Sequence, residues 1–132
     1  MKHFTHLDAP IPRAYGPYSH SIIAGDYVFL AGQTARDIAT GKLIDGDIAA
    51  QTARSLEIIR DILHEHALTL RDVVRATVYL AHMEDFDAMN HVYGVTFEAP
   101  YPVRSTVEVR MPFGALVGMI GSGIAASRFL DV

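Results

Sequence analysis

Apolar residues along this chain follow a helical period in some segments and a strand-like pattern in others. Apolar positions three and four residues apart run through residues 48–67 and 84–97, which predicts two amphipathic helices. Asp47 is placed to cap the first helix, and acidic residues in the first turn of the second suit the helix dipole. Runs rich in β-branched and aromatic residues predict strands at 21–24, 27–32, 73–80, 103–109 and 116–126.

The order of these elements predicts the architecture. The chain reads strand, strand, helix, strand, helix, strand, strand, and Gly25-Asp26 between the first two strands is a hairpin signal. Alternation in the third strand predicts one face with Val74, Ala76, Val78 and Leu80, and another with Val73, Arg75, Thr77 and Tyr79. Two helices cannot cover both faces of such a sheet. We therefore expect one α+β domain over residues 1–132, with two helices on one face and a partner subunit on the other.

Composition and charge narrow the function classes. The 132-residue chain contains no cysteine, which excludes disulfides, thiolate metal sites and cysteine nucleophiles. The formal net charge of −4 disfavours nucleic acid as a partner, because such binding draws on a basic surplus. The N-terminal residues lack the apolar run of a signal peptide, and no segment has the length of a membrane span. The expected location is the cytoplasm.

Several motifs suggest chemistry but fail on geometry. His64 and His66 are two residues apart on a predicted helix, where side chains point about 200° apart and cannot share one metal ion. The glycine-rich run in the last strand has no helix after it, so it lacks the amide cradle of a phosphate loop. Ser105 and Ser122 have no neighbouring histidine in the sequence, which leaves covalent catalysis unsupported. We predict neither a metal nor a cofactor.

A lone arginine at the start of an apolar strand is the strongest chemical signal. Pro100 and Pro102 keep the approach extended and stop the preceding helix, so Arg104 lies where strand pairing begins. A guanidinium there needs an anion, which is either a structural carboxylate of the protein or the carboxylate of a ligand. The hydrogen-bonding neighbours that the chain offers are Tyr18, Asn90, Ser105 and Thr106.

Four segments together resemble the RidA/YjgF family. They are Gly-Pro-Tyr-Ser-His at 16–20, Ala-Gly-Gln at 31–33, the run 47–56 at the start of the first helix, and the segment 101–109. The last of these contains Pro-Val-Arg-Ser around Arg104 and is the most specific. The resemblance spans about residues 9–126, in the same order and at the same separations.

The resemblance implies a fold, an assembly and an activity. Its best-known members have a chorismate-mutase-like fold, form homotrimers with sites between subunits, and hydrolyse reactive 2-imino acids to 2-keto acids and ammonia. It implies that Arg104 holds the carboxylate of a small-molecule substrate. Tyr18, the backbone near Gly32 and Thr106, and Asn90 would complete the pocket.

The chain departs from the family pattern in its last strand. The imine-hydrolysing members carry a glutamate that positions water, and the matching residue in this chain is Ile120. A second glutamate of those members, two positions further on, is replaced by Ser122. An aliphatic side chain cannot act as a general base. Three outcomes stay open: hydrolysis with water held by Ser122, Tyr18 or backbone groups, a different substrate in a more apolar pocket, or binding of small carboxylates without turnover.

The predicted site consists of two groups of residues. Arg104 and Tyr18 are the predicted catalytic residues, and the further substrate-binding residues are Gly32, Asn90, Ser105, Thr106, Ile120 and Ser122. The leading interpretation is an imine/enamine deaminase, and the alternative is a 2-keto acid binding or regulatory protein. Ribonuclease activity or translation inhibition, which the family also includes, is disfavoured by the acidic charge and by the lack of a catalytic histidine pair.

Overall fold

The computed structural model describes residues 11–119 and, outside that range, two strands at Lys2–Phe4 and Ile124–Ser127. The strands within this part are β1 (Lys2–Phe4), β2 (Ser21–Ala24), β3 (Tyr27–Leu30), β4 (Gln33–Thr34), β5 (Val73–Leu80), β6 (Val103–Glu108), β7 (Val117–Met119) and β8 (Ile124–Ser127). The helices are α1 (Ile48–Glu65) and α2 (Phe86–Thr96), with short 3-10 turns at Leu70–Asp72, Met83–Asp85 and Pro112–Gly114.

All of these strands join one sheet in which β5 is central. On one side β5 pairs in parallel with β6. On the other side it pairs antiparallel with β8 near its start and with β7 near its end. Next come β3 beside β8 and β4 beside β7, followed by β2 and then β1. The strand that carries Arg104 therefore lies at the opposite end of the sheet from β1 and β2.

The core lies between the two helices and one face of the sheet. Asp47 caps α1 by accepting the Ala50 backbone N–H at 2.9 Å, as the sequence predicted. The stripe along α1 that contains Leu56, Ile59 and Leu63 is buried completely or nearly so. It packs against the alternating inward residues of the central strands and against α2, which makes a single hydrophobic cluster of the described residues.

The opposite sheet face carries large apolar side chains that are open to solvent in the single chain. Tyr27 and Phe29 on β3 are 44% and 46% exposed, and Val103 and Val107 on β6 are 69% and 39% exposed. Strand alternation explains this arrangement, because the intervening residues of β3, Val28 and Leu30, point to the helices and are buried. The expected α+β arrangement of two helices on one sheet face is confirmed.

Two details of the sheet differ from the sequence prediction. The register shifts between Val73 and Arg75 where β5 meets β8, and this irregularity places Val73 among the buried residues rather than on the open face. The single final strand predicted at 116–126 is replaced by β7 and β8, with residues 120–123 outside the described part. The strands β1 and β4 are too short to give a sequence pattern. In the part described, no helix has the length and apolar character needed to cross a membrane.

Candidate functional site

Arg104 is the second residue of β6, and its side chain lies against α2. Its guanidinium carbon is 4.7 Å from the ring centroid of Tyr93 and 5.6 Å from that of Phe86. These two aromatic residues are seven positions apart on α2, so they share one helix face. Stacking on an aromatic ring fixes the plane of the guanidinium and leaves its N–H groups available.

Arg104 has no carboxylate partner among the described residues. The ion pairs found there are Arg54 with Glu57 and Arg71 with Glu98. Glu108, which is on the same strand as Arg104, accepts the backbone N–H of Met83 at 2.7 Å instead. Within the described part, the structural salt bridge that the sequence left open therefore has no acidic partner.

A cavity of about 360 Å³ opens beside this guanidinium. The residues that line it are Asn90, Tyr93, Gly94, Tyr101, Pro102 and Arg104. Asn90 is one helical turn before Tyr93, which brings its amide to the same cavity. The Tyr101 hydroxyl donates to the Gly94 carbonyl at 3.3 Å and links the strand approach to α2. The cavity thus combines a cation, a neutral amide and aromatic walls.

Two buried hydroxyl groups near this cavity have no hydrogen-bond partner among the described residues. They belong to Tyr93, which is 4% exposed, and to Thr106, which follows Arg104 on the same side of β6. Burial raises the pKa of Tyr93 above its usual value, and the nearby charge of Arg104 partly opposes that rise. Tyr93 is therefore a neutral phenol beside the guanidinium at physiological pH.

Three other predicted site residues, Ser105, Tyr18 and Gly32, do not line the Arg104 cavity of the same chain. Ser105 points to the open sheet face, because neighbouring strand residues alternate. Tyr18 lies in the loop that leads into β2, where its ring contacts the rings of Tyr15 and His20. Gly32 is exposed between β3 and β4. At about 4.8 Å per strand, β2 and β6 are separated by about 19 Å across the sheet.

Ile120 and Ser122 lie outside the described residues. From the predicted set, the structure thus brings Asn90 to Arg104 and places Thr106 on the same side of β6. It adds Tyr93 and Phe86, which the sequence offered only as apolar positions of the helix predicted at 84–97. The seven-residue spacing of Phe86 and Tyr93, with Asn90 between them, was the sequence signal that could have indicated this face of α2. Among the described residues, no three His, Asp or Glu side chains are grouped closely enough to hold a metal ion.

Comparison with known proteins places the chain in a family. The sequence model of the Endoribonuclease L-PSP family matches residues 8–119. A solved structure from Yersinia pestis, a protein of the conserved Rid family, superimposes with a TM-score of 0.87 at 30% identity, covering 96% of this chain and 99% of that one. The chain belongs to the RidA/YjgF family.

Two relatives of this chain in the RidA/YjgF family differ in their names. A RutC family protein of Pyrococcus abyssi is 45% identical over 109 residues, covering 82% of this chain and 86% of that protein. The 2-iminobutanoate/2-iminopropanoate deaminase of the goat is 34% identical over 110 residues, covering 83% of this chain and 80% of the goat protein. The family resemblance inferred from the Pro-Val-Arg-Ser segment is thereby confirmed.

Proposed function

We propose that this protein hydrolyses 2-imino acids to 2-keto acids and ammonia, with Arg104 binding the substrate carboxylate. The observation that carries the proposal is the stacked guanidinium of Arg104, which faces a cavity and has no acidic partner among the described residues. The goat relative named for this activity supports the choice of substrate class.

The carboxylate fits Arg104 for a geometric reason. A planar guanidinium forms two parallel charge-assisted hydrogen bonds to a carboxylate, each worth about 1.5–3 kcal/mol when shielded from water. The Tyr93 ring at 4.7 Å holds that plane in place before the ligand arrives. Asn90 offers both an amide N–H and a carbonyl oxygen toward the imine end of the same ligand.

The reaction itself needs little from the protein. Water adds to the C2 carbon of the C=N bond, and the resulting carbinolamine expels ammonia as its hydroxyl proton is lost and the C=O bond forms. Holding one water molecule and the imine in line lowers the barrier without a cofactor. In the proposed site, Tyr18 orients the imine, and backbone amides near Gly32 and Thr106 together with Ser122 hold the water.

We further propose that the site is completed by a neighbouring copy of the chain in a homotrimer. The exposed Tyr27, Phe29 and Val103 on the open sheet face are the kind of apolar surface that subunits cover. Tyr18 precedes β2, and β2 is four strand positions away from the strand of Arg104 across the sheet, so the Tyr18 of the proposed site comes from another subunit.

A coupled assay tests the activity. An amino acid oxidase generates 2-iminopropanoate from alanine, and the release of pyruvate is followed with and without the protein. We expect acceleration by the wild type and a loss of at least about tenfold in Arg104→Lys, because lysine cannot form the paired hydrogen bonds. Arg71→Lys is the matched control, since Arg71 is 79% exposed and outside the cavity. Wild type no faster than buffer, across several amino acids, contradicts the proposal.

Mixed trimers test the shared site. Arg104→Lys and Tyr18→Phe chains, each expected to lose most of its activity alone, are mixed in equal amounts and allowed to exchange subunits. In a cyclic trimer, every mixed assembly has one cleft with both wild-type residues, so about a quarter of the wild-type activity should return. No recovery on mixing would place both residues in the same chain and exclude the shared site.

A second candidate is a protein that binds small carboxylates without turnover. The residues that line the Arg104 cavity in the described part include no aspartate, glutamate or histidine, and the family resemblance puts Ile120 at the position of the glutamate that imine-hydrolysing members carry. Titration calorimetry with 2-oxobutanoate separates the two candidates. Binding that is lost in Arg104→Ala, with no catalysis in the coupled assay, supports this candidate over the deaminase.

A further inference from the structure

A second cavity with a buried arginine lies apart from the Arg104 site. Its volume is about 510 Å³, which is within the range of small-molecule sites. It is lined by Tyr15, Thr34, Arg36, Lys42, Leu43 and Phe113, with Gly41 at its edge. Three separate segments meet there: the proline-rich loop before β2, the loop after β4, and the 3-10 turn Pro112–Gly114.

Arg36 is held firmly in the wall of this cavity. It is only 6% exposed, and its Nη1 donates to the Arg13 carbonyl at 2.8 Å. Its guanidinium carbon lies 4.3 Å from the ring centroid of Tyr15. An antiparallel bridge between Arg36 and Leu43 closes the loop that also carries Lys42. The guanidinium is therefore placed by the backbone and by one aromatic ring.

The charge of Arg36 is not neutralised by any described residue. The neighbouring Asp37 uses its Oδ1 to accept the backbone N–H groups of Ala39 and Thr40, at 2.8 and 3.0 Å. Glu57 is paired with Arg54. An arginine stays protonated at every physiological pH, and a buried charge without a counter-ion is costly. Four of its five N–H groups have no acceptor among the described residues.

The other walls indicate what kind of anion fits. Lys42 adds a second positive charge at the edge of the cavity, and Thr34 adds a hydroxyl group. Tyr15, Leu43 and Phe113 supply an apolar wall, in which the Tyr15 and Phe113 rings meet edge to face at 5.5 Å. The chemistry is that of an organic anion with an apolar body.

Phe113 is an unusual wall residue. It is 77% exposed and has φ 57° and ψ 22°, a left-handed conformation that costs a non-glycine residue about 1–2 kcal/mol. The turn thus keeps a large ring at the cavity in a strained backbone and leaves most of the ring uncovered. A ligand lying against this ring would cover its exposed apolar surface.

We propose that the cavity around Arg36 is a second ligand site, which binds a small organic anion, carboxylate or phosphate, carrying an aromatic or branched apolar body. The anionic group pairs with Arg36 and Lys42, and the apolar body lies against Tyr15, Leu43 and Phe113. No residue of this cavity lines the Arg104 cavity, although the Tyr15 ring contacts the ring of Tyr18, so the variants below are chosen to separate the two sites.

The test uses nuclear magnetic resonance titrations of the ¹⁵N-labelled full chain. The probes are phenylacetate and phenyl phosphate, with the neutral 2-phenylethanol and inorganic phosphate as controls. We expect amide shifts at Thr34, Arg36 and Phe113 with either organic anion, and at least about tenfold weaker binding of both controls. The tighter of the two organic anions identifies the anionic group.

Variants separate this site from the Arg104 site. Lys42→Glu and Phe113→Gly change exposed positions and should each weaken the better probe by at least about threefold. Arg60→Glu, a charge reversal on the exposed surface of α1, and Arg104→Lys should leave binding at the Arg36 cavity unchanged. Arg36→Met should abolish binding, and its folding is checked by the amide spectrum.

Three results would overturn the proposal. The first is the absence of shifts at the cavity with both organic anions at millimolar concentration. The second is binding that neither Lys42→Glu nor Phe113→Gly weakens, since Arg36 would then act only as a tether for the loop at Arg13. The third is loss of the shifts in Arg104→Lys, which would assign the probes to the other site. A failed deaminase assay leaves each of these readouts unaffected.

Discussion

Replacing Tyr93 by phenylalanine or by leucine separates the two roles that its side chain can have. The ring supports Arg104, with the guanidinium carbon 4.7 Å from its centroid, whereas the buried hydroxyl has no partner in the part of the chain that the structure describes. Tyr93→Phe keeps the ring and removes the hydroxyl. Tyr93→Leu removes both the platform under Arg104 and the ring contact with Phe97, whose centroid is 4.5 Å away.

The expected magnitudes follow from these contacts. A buried hydroxyl without a partner costs about 1–3 kcal/mol, so Tyr93→Phe should leave the free energy of unfolding unchanged or raise it by about 1 kcal/mol. A cation–π contact at a shielded site is worth about 1–2 kcal/mol, and an aromatic pair about 0.5–1.5 kcal/mol. Tyr93→Leu should therefore lower the free energy of unfolding by about 2 kcal/mol and weaken carboxylate binding by about fivefold to thirtyfold.

The measurements are urea unfolding at one fixed protein concentration and titration calorimetry with 2-oxobutanoate. A fixed concentration is needed because subunit association would contribute to the stability of the proposed homotrimer. We expect Tyr93→Phe to bind 2-oxobutanoate like the wild type and Tyr93→Leu to bind it more weakly. Equal losses of affinity in both variants would refute this expectation, because the hydroxyl itself would then contact the ligand.

Three further predictions concern stability. The pKa of Tyr93 is raised in the folded state, so the contribution of this group to stability is complete below about pH 10 and is lost as the pH rises through the folded pKa. Between pH 9 and about 11, the wild type should therefore lose more free energy of unfolding than Tyr93→Phe, as measured by urea unfolding at each pH. Asp47→Ala should cost about 1 kcal/mol in urea, since it removes the acceptor of the Ala50 N–H, and Asp47→Asn should recover most of it. Phe113→Gly should raise the midpoint temperature of thermal unfolding, because glycine adopts the left-handed backbone conformation without strain. Phe113→Ala is the control that keeps the strain, and equal midpoints for the two variants would contradict this prediction.

Local sequence patterns were sufficient for most of the secondary structure. The capping aspartate and the apolar stripe predicted α1, and the observed helix Ile48–Glu65 begins at the predicted residue. The strand predicted at 73–80 is β5 without a change of bounds. The irregularity at Val73 and Arg75 escaped prediction, because a bulge depends on which strand pairs alongside, and β8 is about fifty residues away along the chain.

The sequence by itself determined that Arg104 is a lone cation at the start of an apolar strand, with Asn90 on the helix before it. Only the tertiary structure decided that Tyr93 and Phe86 stack on that guanidinium, and that it faces a cavity and has no acidic partner among the described residues. No sequence pattern indicated that Arg36 is buried, because an arginine in a loop is expected to be exposed to solvent. The physical reason is common to these cases: burial and pairing arise from contacts between segments far apart in the chain, whereas periodicity and capping report only on neighbours.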